Sequence, residues 1–202
     1  MTIGWRALLV GLTVAVCTGA GGAACAFDAE QAFQPGTYVV SVEGGGGSQS
    51  NLENKRDATG LDFWNAGVRL SIVPWGPVGP NILRGALEVG LEPFYQRYTD
   101  PVHAYFAGLA AVGRYHFLSL GRVVPYAELF LAAGGTDLRV REIDSEFTFL
   151  IQGGAGLSVF LTNQLAVYAG YRFQHVSNGD TQRPNRGFES NTGVAGVSFY
   201  FK

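Results

Sequence analysis

Near the C-terminal end of the 202-residue chain, His175, Ser177 and Asn178 fall within four consecutive positions, and Glu189 follows twelve residues after the serine. These are the side-chain types of a nucleophilic acyl-transfer site. A serine hydroxyl alone is a weak nucleophile. A neighbouring imidazole takes its proton during attack and later gives one to the leaving group. A carboxylate on the other ring nitrogen holds the imidazole tautomer and stabilises its charged form. The tetrahedral oxyanion then needs a donor, for which Asn178 or nearby backbone N–H groups are the candidates. Each such donor is worth roughly 3–4 kcal/mol.

For the three groups to meet, they must sit on paired strands. Residues two apart on a β-strand point to the same side. His175 and Ser177 therefore share a face with Leu165, Val167, Ala169, Tyr171 and Phe173. In the next segment Glu189 shares a face with Asn191, Gly193, Ala195, Val197, Phe199 and Phe201. Strands joined by one loop are neighbours, so Glu189 can lie across the ladder from His175, with Cβ atoms about 5 Å apart. A hydroxyl, an imidazole and a carboxylate on an apolar wall lower stability, which marks the group as functional.

The rest of the chain must supply that wall. Period-2 patterning recurs over residues 37–48, 61–73, 84–98, 104–118, 123–133, 146–161, 165–177 and 189–201, each run bounded by turn residues. Most runs exceed the 5–6 residues typical of soluble strands and suit the roughly 9–11 needed by a tilted membrane strand. One face of each is apolar; the other mixes small residues with isolated charges. Only 15% of residues are charged and lysine occurs only at positions 55 and 202, while glycine numbers 29 and aromatics reach 13%. Such a charged set is too sparse to be a solvated surface. It suits a narrow polar lumen inside an apolar exterior, with Glu88, Glu92 and Glu128 pairing with Arg69, Arg114 and Arg172. The fold class predicted is all-β, an eight-stranded antiparallel transmembrane β-barrel. With the N-terminus on the periplasmic side, the outward loops are 49–60, 99–103, 134–145 and 178–188. Trp64, Trp75, Tyr95, Tyr115, Tyr171 and Tyr200 lie near strand ends, where interfacial girdles form.

Residues 1–26 read differently. Arg6 precedes an apolar run ending at Cys17, and Ala24-Cys25-Ala26 matches a small-x-small cleavage site, so 1–26 is predicted to be a cleaved signal peptide and 27–202 the barrel. Both cysteines fall in that segment, which leaves a mature chain with no disulfide framework and no thiolate nucleophile. A net charge of −2 with no basic stripe predicts no nucleic-acid partner. His103, His116 and His175 lack the spaced partners of a metal site. Gly44–Gly47 lack the following helix of a phosphate loop.

The segments His175-Val-Ser177-Asn178 and Pro184-Asn185-Arg-Gly187-Phe-Glu189-Ser190 resemble the lipid A 3-O-deacylases of the PagL type. The likeness is strong over about twenty residues and extends through strand number and size to the mature chain. It implies that His175, Ser177 and Glu189 are the catalytic triad and that Asn178 serves the oxyanion hole. It further implies an outer-membrane enzyme of a Gram-negative bacterium that hydrolyses the ester holding the 3-hydroxyacyl chain at the 3-position of lipid A, without cofactor or metal. Homodimers are known within that family. From the residues themselves two rivals stay open: a non-enzymatic small barrel acting as adhesin or structural protein, and a lumen-binding acyltransferase barrel with catalytic groups on the rim facing the lumen, as a one-residue bulge before His175 would allow.

Overall fold

The computed structural model describes residues 27–52 and 58–202; the predicted signal segment, with Cys17 and Cys25, lies outside them. Eight antiparallel strands close into a barrel: β1 (Tyr38–Gln49), β2 (Asp62–Ile72), β3 (Gly85–Asp100), β4 (Ala104–Phe117), β5 (Val123–Thr136), β6 (Phe147–Phe160), β7 (Leu165–Ser177) and β8 (Phe188–Phe201). Each pairs with its sequence neighbour and β8 pairs back onto β1, so no edge is left open. Closure satisfies every ladder internally, as a strand wall facing hydrocarbon requires.

Alternation of exposed and buried positions runs along every strand. Val42, Leu70, Leu91, Leu109, Leu129 and Leu157 all point outward and are at least half exposed. A wall built of such residues is stable only against lipid. At the end that carries loops 50–61, 101–103, 137–146 and 178–187, Trp64, Tyr95 and Tyr105 form a chain of ring contacts. At the opposite end Tyr38, Phe199 and Phe201 stack on one another. Tyr200 does not belong to that girdle: it is buried at 2% exposure and packs inside the barrel with Phe33 and Phe160. Parity explains this, since its neighbours Phe199 and Phe201 take the outward positions.

The lumen is solid. Arg69 donates to Glu43 at 2.6 Å and Glu92 at 2.8 Å. Arg114 reaches Glu128 at 2.8 Å, and Arg172 bridges Glu128 and Glu43. Glu88 pairs with Arg69 at 4.0 Å and also bonds His116 Nε2, at 2.8 Å, and Ser71. Glu43 is the hub that the pattern reading missed, because it opens the glycine run of β1. Gly67 is what admits this network, for a Cβ there would run into the Glu92 carboxylate. Above the charges, Phe94, Phe106, Phe130 and Phe188 fill the loop end. Below them, Phe33, which follows the short helix α1 (Ala29–Ala32), plugs the other end against Phe160 and Tyr200.

Breaking one arm of a buried ion network strands the remaining charges. Arg172→Met is therefore expected to lower barrel stability by about 3–5 kcal/mol. Urea unfolding of the barrel refolded into phospholipid vesicles measures this, and an unchanged midpoint would show the network to be energetically idle.

Candidate active site

Strand β7 directs Arg172, Gln174 and Val176 into the barrel, which leaves Tyr171, Phe173, His175 and Ser177 on the wall. No bulge interrupts its pairing with β6 or β8. The register sets His175 opposite Glu189. Their side chains meet at 3.0 Å between Nδ1 and Oε1 and stay partly exposed, at 40% and 22%. With Nδ1 committed to the carboxylate, Nε2 is the ring nitrogen left to exchange a proton. The outside parity disposes of a lumen-facing site for these two residues.

Glu189 is held from the first outward loop. Leu52 N–H donates to Oε2 at 3.3 Å, and the Glu189 backbone N–H donates to Asn51 Oδ1 at 3.3 Å. The Glu189 carbonyl also accepts from Ser50 N–H at 2.9 Å. One carboxylate oxygen is thus fixed by the backbone while the other faces the imidazole.

Ser177 is the last residue of β7, half-buried on the same face, with Phe149 of β6 opposite. One strand repeat, about 7 Å along the backbone, separates it from His175. The structure forms no hydrogen bond between the two.

Asn178 is fully buried and folds the turn after β7. Its Nδ2 donates to Gln182 O at 2.7 Å, its Oδ1 accepts from Asp180 N–H at 3.0 Å, and its carbonyl accepts from Thr181. Its own N–H donates to Asn185 Oδ1 at 2.9 Å. Side chain and backbone are both spent inside the loop, away from the wall that carries His175. Of the N–H groups of residues 178–181, that of Gly179 alone has no partner among the described residues. It lies two residues after Ser177, in a left-handed turn with φ +64°.

Three positions take on meaning only in the fold. Gly187, at φ +65°, lies against the imidazole: a Cβ there would sit 3.0 Å from His175 Cε1 and 3.0 Å from the Val176 carbonyl. Asn185 ties the turn to the third outward loop by bonding Asn178 and by a bridge to Ile143. Asn191 accepts from the Tyr171 hydroxyl on the outer wall, so a polar pair lies one step below Glu189. Asn185 and Gly187 belong to the motif segment noted above, but spacing alone assigned them no task. In the third loop the buried Glu142 carboxyl is held below the ordinary carboxylate range. Burial alone would raise it, and bonds from Thr59 and Gln49 outweigh that.

The model of the family described as Lipid A 3-O-deacylase (PagL) matches residues 64–198, about two thirds of the chain. The chain belongs to this family. Among solved structures it is similar to the outer membrane enzyme PagL, with a TM-score of 0.61 at 18% identity, covering 77% of this chain and 97% of that one. It is also similar to Neisserial surface protein A, with a TM-score of 0.57 at 17% identity, covering 82% and 99%. At these identities the two share its fold. No curated protein sequence matches it significantly. As a PagL-family lipid A 3-O-deacylase the chain is a carboxylic ester hydrolase of the Gram-negative outer membrane, and the non-enzymatic alternative is set aside.

Gly187→Ala pushes a methyl group toward the imidazole edge and strains the backbone. It is expected to lower deacylation at least roughly tenfold in a barrel that still folds, because small displacements of reacting groups are costly. Turnover measured alongside heat-modifiable gel mobility checks this; full activity would show that Gly187 does not shape the site.

Proposed function

We propose that Ser177, His175 and Glu189 are the triad through which this deacylase cleaves the 3-O-linked 3-hydroxyacyl chain of lipid A. His175 Nε2 takes the Ser177 proton as Oγ attacks the ester carbonyl carbon. The Gly179 N–H, presented by the turn that Asn178 folds, donates to the oxyanion. Collapse breaks the bond to the sugar oxygen, which leaves with the proton from Nε2. Water then attacks the acyl-serine, His175 removing its proton. Breakdown releases the 3-hydroxy fatty acid and returns the proton to Ser177. Glu189 holds His175 Nδ1 and stabilises the imidazolium.

The observation that carries this reading is the His175–Glu189 pair on a lipid-facing wall at the loop end of the barrel. Nothing in hydrocarbon would retain such a pair without use. Below it the wall carries Ala169, Val167 and Val197, against which an acyl chain can lie. Above it the exposed Arg183 and Arg186 stand in the loop between β7 and β8, where lipid phosphates lie. Substrate arrives by lateral diffusion in the outer leaflet. The first 26 residues fit the export signal that such a location requires.

Mass spectrometry of lipid A from cells expressing the wild type is expected to show loss of one 3-hydroxyacyl chain. Cells expressing Ser177→Ala, with equal amounts of folded barrel, should show the unmodified profile. Equal profiles from the two strains would remove Ser177 from the chemistry.

A further inference from the structure

We infer that Glu142, in the loop between β5 and β6, is a positioning residue for the catalytic carboxylate: it locks the first outward loop where Asn51 and Leu52 hold Glu189. The inference rests on the triad reading, since it gives Glu142 a task only if Glu189 has one.

Glu142 belongs to a surface loop yet is only 2% exposed. Its Oε1 accepts from Thr59 N–H at 2.8 Å and from Gln49 Nε2 at 3.0 Å, and its Oε2 accepts from the Thr59 hydroxyl at 2.7 Å. All three donors come from the two ends of the first outward loop, so one side chain staples that loop shut. Gln49 passes the constraint on. Its Nε2 also donates to Asn51 Oδ1 at 3.0 Å, and its Oε1 accepts from Gly60 and Leu61. Asn51 Oδ1 is the acceptor for the Glu189 backbone N–H, and the next residue, Leu52, donates to Glu189 Oε2. A continuous chain of hydrogen bonds therefore runs from Glu142 through Gln49 and Asn51 to Glu189, and across Glu189 to His175 Nδ1.

The backbone of Glu142 works on the opposite flank. Its carbonyl accepts from Arg186 N–H at 2.9 Å, and the next residue, Ile143, bridges Asn185. Asn185 in turn holds the turn that follows Ser177. One residue thus couples the loop that fixes the acid to the loop that fixes the nucleophile. Only a group offering acceptors to three convergent donors can do so, and an apolar replacement would leave those donors buried and unpaired. Glutamine keeps one carbonyl for Thr59 N–H and Gln49, and its amide can donate to the Thr59 oxygen.

The test combines kinetics with a double-mutant cycle in the full barrel, refolded into vesicles containing lipid A. Glu142→Leu is expected to lower kcat roughly 10- to 100-fold while KM moves little, the cost of a misplaced catalytic group. Glu142→Gln should restore most of the loss. Asn51→Ala, in the exposed loop, should reproduce the Leu phenotype if Glu142→Leu fails to fold. In a Glu189→Ala background Glu142→Leu or Asn51→Ala should cause no further loss, because the residue they position is gone. Unchanged kcat in Glu142→Leu and Asn51→Ala, or the same fold-loss with and without Glu189, would overturn the positioning role and leave the triad intact. Wild-type activity in Glu189→Ala would instead overturn the triad itself.

Discussion

The lumen of this barrel is full, and that constraint decides where the chemistry goes. Arg69, Arg114 and Arg172 interlock with Glu43, Glu92 and Glu128 across the interior, and aromatic clusters close both ends. Charges buried this way are tolerable because each meets an opposite partner. The same packing leaves no room inside for a lipid. The proposed reaction accordingly lies on the outer wall, where the substrate already lies in the bilayer and need not be extracted from it.

An outer wall is a hostile place for a triad. Apolar surroundings penalise an ionised carboxylate, and the strand itself offers no spare donors. Placing His175 near the end of β7 and Glu189 at the start of β8 solves this, because loops can bend back over the rim. Leu52, Asn51 and Ser50 supply to Glu189 the hydrogen bonds that lipid cannot. The site is thus half strand and half loop. The ladder sets which residues face each other, and the loops set the electrostatics. Gly187 brings backbone close to the imidazole, and the Asn178 turn follows directly on Ser177, the proposed nucleophile.

Much of this was legible in the sequence because β-structure has a rigid period. Alternation placed Arg69, Arg114 and Arg172 inside and Leu70, Leu129 and Val167 outside, and the same parity put His175, Ser177 and Glu189 on one wall. What parity cannot say is how far a side chain reaches or which loop folds over it. Glu43 passed unnoticed in its glycine run although it touches two arginines. Tyr200 looked like a girdle residue until the plug around Phe33 claimed it. Parity gives no hint that the Asn178 amide folds the turn after β7. Glu142 carried no signal at all, since its partners at positions 49 and 59 lie more than eighty residues away in the chain.

We propose a reactive serine that faces the bilayer from the end of β7. A long-chain alkyl fluorophosphonate, delivered in vesicles to the folded barrel, tests this most directly, because it reacts with a serine oxygen that an adjacent base activates. Peptide mapping by mass spectrometry should find one phosphonyl adduct, on Ser177, and should find none when His175 is replaced by alanine. A barrel that deacylates lipid A yet carries no adduct at Ser177, or carries it on another residue, would contradict the account.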